Sequence, residues 1–519
     1  MATRCLIKPG AYHDSVTLME LAEKVSHLPA VQDAAVVMAT EANKGILRVA
    51  RLLLPAIEAA TVHDLVIVVK AESVEAAHRA LEFADAHLAQ SRKAWTTRPG
   101  IRPRTIHGAV RSTPHSNLAI ISVAGQYAAA EAWEALKNGL HVLLFSDNVP
   151  IHDEIALKEY ATERGLLMMG PGCGTAIING VALGFANVVP RGPVGVVAAA
   201  GTGLQEVTTV LARLGVGTHQ ALGTGGRDLK EEVGGIMMLQ GLAALQEDPQ
   251  AEVLLLVSKP PSPMIADRVL AQVKTSQKPT VVCFLGGDPA GILAAGAIPA
   301  RTLQEAAYLA AAEVKGYAGS TASREIERES AALLAQAAEL RKRLQPGQRY
   351  LRGLFSGGTL AAEALVLWED MLGGVFSNVA FDAQWQLKDI TRCAGNCALD
   401  LGEEEFTLGR PHPMIDNDLR IRRMMQEAAD PEVGVIVLDV VLGYGAHPDP
   451  AGELGPAIER VREFAEQQGR ELLVIASVTG TRQDPQGLER QVTALEEAAA
   501  IVCSCNAAAA RLARFIFAP

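Results

Sequence analysis

Along most of the chain, short apolar runs alternate with stretches whose apolar residues recur every three or four positions. Val194–Ala199 is the plainest run: small and β-branched residues, the pattern of a strand buried on both faces of a parallel sheet. Gly201-Thr202-Gly203 then turns the chain, and Leu204, Val207, Val210, Leu211 and Leu214 follow at helical spacing. The device returns later: Leu351–Phe355 predicts a strand, Gly357-Gly358-Thr359 a turn and Leu360–Met371 a helix. A strand that breaks at glycines into a helix leaves N–H groups unpaired at the positive end of the helix dipole. Such an end suits a phosphate or carboxylate. Two of them in one chain predict a shared anion site.

The same patterning predicts four domains. Residues 1–92 form a small α+β domain, with strands at Arg4–Lys8, Ala34–Met38 and Leu65–Lys70 and helices at Asp14–Leu28 and Ser73–Leu88. Gln90–Pro114, rich in Arg, Thr and Pro, reads as a linker or mobile loop. Residues 115–190 alternate strands (Leu118–Val123, His141–Phe145, Leu166–Met169) with helices, the signature of a doubly wound parallel sheet. Ligands on such sheets bind at the carboxyl ends of strands, so 122–127, 146–148 and 170–175 share one rim. Residues 191–315 and 349–519 look like two copies of one α/β architecture, joined by a charged helical connector at Glu313–Arg343.

Composition narrows the class. The 519 residues are 49% hydrophobic and 20% charged but only 4% aromatic, and 47 are glycine, which fits an α/β enzyme with several cores. A net charge of −11 gives no footprint for nucleic acid or an anionic membrane. There is no uninterrupted apolar run long enough for a membrane span, and no signal-peptide h-region at the start. Of the seven cysteines, only Cys393/Cys397 and Cys503/Cys505 lie close together. Neither pair makes a metal-site or disulfide framework, so a cytoplasmic location is expected.

The candidate chemistry follows from the turns. Gly225-Gly226 lets backbone approach an anion and Arg227 can hold it in bidentate fashion. The expected phosphate or substrate site is therefore Gly201, Thr202, Gly203, Gly225, Gly226, Arg227, Gly357, Gly358 and Thr359, with Arg410 from the proline-stiffened loop 409–416. His412 in that loop is either an acid/base group, working with Arg227, or a cap for the following helix. Cys173 reads as a packing residue rather than a reactive thiol, His447 as structural, and 43–45 as a polar loop or helix start. No Walker A sequence and no opening GxGxxG is present, which disfavours NAD. No metal set is expected. No cofactor follows with certainty, and CoA or a nucleotide stays open.

These residues resemble succinyl-CoA synthetase in three consecutive blocks. Ser122–Thr175 is similar to the second half of the CoA-binding domain of the α subunit, Gly195–Leu285 to its ligase domain, and Arg352–Asn506 to the β-subunit ligase domain. A nearer match is the FdrA family of acyl-CoA-synthetase-like proteins. It is carried by Phe145–Val149, Gly201–Gly203, Gly225–Leu229, Val257–Pro261, Gly357–Leu360 and Gly409–Asp416. The resemblance implies a fold: a Rossmann-like CoA-binding-type domain, then two flavodoxin-like synthetase ligase domains, behind the small N-terminal domain. It also implies carbamoyl transfer between oxamate and phosphate in purine (allantoin) catabolism, with companion subunits of an oxamate carbamoyltransferase. The expected ligands are phosphate, carbamoyl phosphate or oxamate, and a homo-oligomer is expected.

The departures are as telling. The synthetase α subunit carries a phosphorylated histidine in Gly-His-Ala-Gly-Ala; here the corresponding run 293–297 is Leu-Ala-Ala-Gly-Ala. There is no ATP-grasp domain, the first CoA-binding glycine motif is missing, and Gly172 stands where Asp or Asn is usual. The expectation is an anion site between two ligase-like domains without a phosphate carrier. The alternatives are a component of an NDP-forming acyl-CoA ligase whose ATP-grasp part lies on another chain, and a non-catalytic anion-binding scaffold.

Overall fold

The computed structural model describes residues 2–11, 15–62, 64–96, 103–407 and 411–517. The N-terminal unit is an antiparallel sheet in which Leu65–Ala71 lies between Ala2–Lys8 and Val31–Met38, covered by helices Ser15–Ser26 and Val74–Thr96. Two helices enter the stretch expected as a linker or mobile loop. The second helix runs on to Thr96, and a further helix, Ile106–Ser112, is started by Thr105, whose hydroxyl accepts from Gly108 N.

A three-stranded parallel sheet follows, Leu118–Ile121, His141–Leu144 and Met168–Met169, in chain order. The next sheet reaches back across residue 190. Thr175–Ile178 and Val181–Gly184 form a hairpin on its edge, turned by Asn179 (φ 52°) and Gly180 (φ 77°). The parallel part of that sheet runs Ile298–Pro299, Thr280–Phe284, Val253–Ser258, Val194–Ala199, Thr218–Gly223. In chain order this is 2-1-3-4-5, the flavodoxin-like winding. The last sheet is parallel throughout and, apart from the two-residue edge strand Phe376–Ser377, has the same winding: Cys397–Asp400, Tyr350–Phe355, Val433–Val441, Leu473–Thr479, Ile501–Cys503. The expected α/β architecture with two flavodoxin-like units is what the chain forms. The connector is two helices, because Gly316 (φ 66°) ends Leu303–Lys315 in a left-handed cap before Gly319–Arg341 begins.

The two flavodoxin-like units share one apolar core. Leu204, Val207 and Leu211 of helix Gly201–Arg213 pack in the same cluster as Leu360, Ala364 and Trp368 of helix Gly358–Leu372, with Ala510 and Leu512 of the C-terminal helix. Each of the valines and leucines among them contributes roughly 1.5–3 kcal/mol on burial, so the halves are fixed together. That fixes how their strand ends meet. One cysteine expectation is corrected: Cys393 and Cys397 are joined as a disulfide, because the loop between them brings their Cα atoms to 5.9 Å.

Candidate functional site

Strands Val194–Ala199 and Tyr350–Phe355 lie where the winding of their sheets reverses, and each runs straight into a glycine-led helix. The two helix starts face each other and interlock. A Cβ on Gly357 would lie 2.6 Å from Thr202 Oγ1, and one on Gly203 would lie 2.6 Å from Thr359 Cγ2. Only glycine permits this approach. The gap between the turns is thus filled by the two threonines; an open flank remains at Gly201, which is exposed, whereas the flank at Gly358 is lined by Asp400 and Lys259.

The Gly358 flank carries charge from both halves. Lys259, the residue after strand Val253–Ser258, reaches across the seam to within 3.8 Å of Asp400 Oδ2 and 3.3 Å of Glu403 Oε1. Asp400 ends strand Cys397–Asp400 and is 2% exposed. Its Oδ1 accepts from Gly402 N at 3.0 Å, while Oδ2 lies directly against Gly358, where a Cβ would also meet Lys259 Nζ at 2.7 Å. Asn378 clamps the backbone of Asp400 from both sides, through Oδ1 to N and Nδ2 to O. Burial pushes the Asp400 carboxyl up to about 7 despite Lys259, with Glu403 adding to the rise. Next to it, Asp439 is fully buried but well partnered: Ser356 N and Oγ each donate to it at 2.7 Å, and Arg420 at 2.9 Å.

His412 closes the same corner. Met414 N donates to its Nδ1 at 3.2 Å, so Nε2 carries the proton, and Nε2 lies 2.7 Å from where a Gly402 Cβ would be. The ring packs 6.0 Å from Phe185, just past the hairpin. Burial, with Arg420 nearby, lowers its pKa to about 4, so it is a neutral hydrogen-bond donor near neutrality. Arg410 lies outside the described residues.

Arg227 points elsewhere. Its guanidinium donates to Val149 O at 2.8 Å and pairs with Glu154 at 2.8 Å. Lys158, fully buried, bridges Glu154 (2.8 Å) and Asp228 (2.7 Å) beneath it. Gly225 (φ 89°) is packed on Gly170 and Pro171, whereas Gly226 faces open space. This loop therefore docks the Rossmann-like sheet on the first flavodoxin-like unit. Burial raises the Cys173 thiol to about 12, with Sγ against Gly223 O, in keeping with a packing role. His447 is buried against Glu453. At the start of helix Gly125–Lys137 on the Rossmann-like rim, a Cβ on Gly125 would run into the carbonyl of Asp147, so the loop 147–148 packs against that glycine. Among the described residues no group of His, Cys, Asp and Glu side chains is arranged to hold a metal ion, and no helix is long and apolar enough to cross a membrane.

Lys259, Asp400 and Glu403 were not among the residues expected from sequence. The readable signal is a charged residue at the carboxyl end of an otherwise apolar strand, VLLLVS before Lys259 and CAL before Asp400.

Three family models match the chain: an AllF heavy metal-associated domain over residues 1–100, a CoA binding domain over 191–286 and a CoA-ligase domain over 354–516. The chain is 44% identical over 514 residues to the uncharacterized protein YahF of Escherichia coli K12, covering 99% of this chain and 98% of that one. It is 27% identical over 177 residues to the α subunit of the ADP-forming succinate–CoA ligase of Methanothermobacter thermautotrophicus, covering 34% of this chain and 58% of that subunit. Among solved structures, PH0766 from Pyrococcus horikoshii OT3 matches 80% of this chain and 87% of its own, with 14% identity and a TM-score of 0.33. ATP citrate lyase from Methanothrix soehngenii matches 42% of each chain, with 17% identity and a TM-score of 0.37. With 44% identity to YahF over nearly the full length and CoA-binding and CoA-ligase domains in series, the chain belongs to the succinyl-CoA-synthetase-like family that includes YahF.

Proposed function

We propose that this CoA-ligase-like subunit is an FdrA-type enzyme that transfers a carbamoyl group between oxamate and phosphate at the Gly358 flank. The observation that carries this reading is Lys259 of one half standing beside the helix start and the strand-end carboxyl of the other. In the direction of carbamoyl phosphate synthesis, a phosphate oxygen adds to the carbamoyl carbon of carbamoylated oxamate. The bond from that carbon to the oxamate nitrogen then breaks, and the nitrogen takes up a proton. Lys259 and the amides at Gly357 and Gly358 hold the anionic oxygens, and His412 Nε2–H donates a hydrogen bond to them. Arg227, engaged by Val149 and Glu154, keeps the Rossmann-like unit in place instead. The alanine-containing run 293–297 supplies no imidazole, so no step passes through a phosphorylated side chain there.

The test is phosphorolysis of carbamoylated oxamate by the full chain, alone and with its companion subunits. Carbamoyl phosphate is expected to form, and Lys259→Gln to reduce the rate by at least about tenfold, the loss of one charged contact. A second reading, a component of an NDP-forming acyl-CoA ligase, is favoured by the match to the succinate–CoA ligase α subunit. Nucleotide diphosphate formed with CoA and succinate, without carbamoyl phosphate in the first assay, would establish it in place of the first.

A further inference from the structure

Asp400 is placed where a bound anion would be. Its side chain is buried, and among the described residues none donates a hydrogen bond to its Oδ2: the Lys259 ammonium stands 3.8 Å away, beyond hydrogen-bond reach. That oxygen lies against Gly358 at the positive end of a fifteen-residue helix. A phosphate or carboxylate arriving beside Gly358 and Lys259 thus meets a carboxylate already holding part of the same field. Two like charges at this separation cannot both stay ionised in a buried setting.

We infer that anion binding at this flank and protonation of Asp400 are one coupled event, with Oδ2 taking a proton from solvent as the anion seats against Gly358 and Lys259. The groups around Asp400 single it out as the proton acceptor. Both oxygens of Asp439 already accept hydrogen bonds, from Ser356 and Arg420, and Lys259 offers donors rather than an acceptor. Glu403 is 40% exposed on its side chain and can turn to water. His412 is kept neutral by burial and by Arg420, and its Nδ1 is taken by Met414 N. Glu405 is separated from Asp400 by Asn378. The near-neutral titration of Asp400 accords with this assignment.

The inference rests on the anion site proposed above but concerns a different quantity, and it is tested with sulfate, which does not titrate near neutrality. Calorimetric titration of the full chain at about pH 8.5, in buffers of different protonation enthalpy, should show uptake of up to about one proton per sulfate. Affinity should fall about tenfold per pH unit above neutrality and level off near about pH 6. Asp400→Asn should abolish the uptake and make affinity independent of pH, while His412→Gln keeps both. An infrared difference spectrum of the unsubstituted chain, with and without sulfate, should gain a protonated-carboxyl band, which needs no variant to fold. Sulfate bound without proton uptake, or uptake retained in Asp400→Asn, overturns the coupling alone. Absence of any sulfate binding overturns both the coupling and the site it rests on.

Discussion

The halves 191–315 and 349–517 are alike in framework and unlike in chemistry. Five residues after the first glycine of each glycine-led helix stands a glutamate, Glu206 in one and Glu363 in the other. Each crosses the seam to cap the last helix of the opposite half. Glu206 accepts from Asn506 N at 2.9 Å, at the start of Asn506–Phe517, and Glu363 accepts from Leu303 N at 2.6 Å, at the start of Leu303–Lys315. The glycine–threonine contacts are exchanged in the same way. The symmetry breaks only at the flanks. The second half supplies Asp400, Glu403 and His412 and the first supplies Lys259, whereas among the described residues no such cluster stands at the Gly201 flank. Reciprocal contacts hold the halves together; the charges that are not reciprocated are free to do chemistry.

The largest expected effect lies outside the repeat, where the first half is docked to the Rossmann-like sheet. Lys158→Met removes the cation between Glu154 and Asp228, all three side chains being fully buried. Breaking a buried pair leaves uncompensated charge, and a loss of about 3–5 kcal/mol is expected, read by urea unfolding. A loss under about 1 kcal/mol would show that water reaches the network.

Next is the cross-cap. Glu206→Ala leaves Asn506 N and Thr479 Oγ1 without their buried acceptor. Each orphaned donor costs about 1–3 kcal/mol, so a combined loss of about 2–5 kcal/mol is expected. Burial and the nearby Glu206 raise the Glu363 carboxyl to about 7. A raised carboxyl means the folded state binds more protons, so stability falls as pH climbs from about 4 through 7. Glu206→Ala removes one cause of the rise and should flatten that fall.

The glycine–threonine contacts come third. Gly203→Ala and Gly357→Ala each force a methyl onto a threonine of the other half and should cost about 1–3 kcal/mol by overpacking. Thr359→Ser removes the methyl that Gly203→Ala would strike, so the double variant should recover most of the loss. Additivity in that pair would mean the turns do not touch.

How much of this is legible in sequence depends on range. The two strand–glycine–helix turns and the βα alternation are local patterns, and the structure reproduces them. The Asn179-Gly180 pair is a readable hairpin signal that the βα reading of 115–190 passes over. Residues 90–114 read as linker because Arg, Thr and Pro mask two helices, one of them started by Thr105. The Cys393–Cys397 spacing says nothing of a disulfide, since it is loop geometry that brings the sulfurs together. Lys259 and Asp400 are 141 positions apart in number and meet only because two sheets with separate windings share one core. No window on the chain contains both.

The smallest expected effect concerns His412 and tests whether the asymmetric corner is built for a neutral donor. A histidine whose folded pKa is lowered to about 4 binds fewer protons folded than unfolded between pH 4 and its unfolded value of about 6.5. Its contribution to stability is therefore complete above about pH 6.5 and drains away as pH falls toward 4. His412→Gln can still accept from Met414 N and present an N–H near Gly402, yet it does not titrate. Stability near pH 7.5 should hardly change, whereas near pH 6 the variant should gain about 1 kcal/mol on the unsubstituted chain, measured by thermal unfolding across that range. If the two chains instead lose stability in parallel on acidification, the imidazole is already charged in the folded state. The corner would then present a cation to the incoming anion from both halves, Lys259 on one side and His412 on the other, and the chemical difference between the halves would be smaller than the geometry indicates.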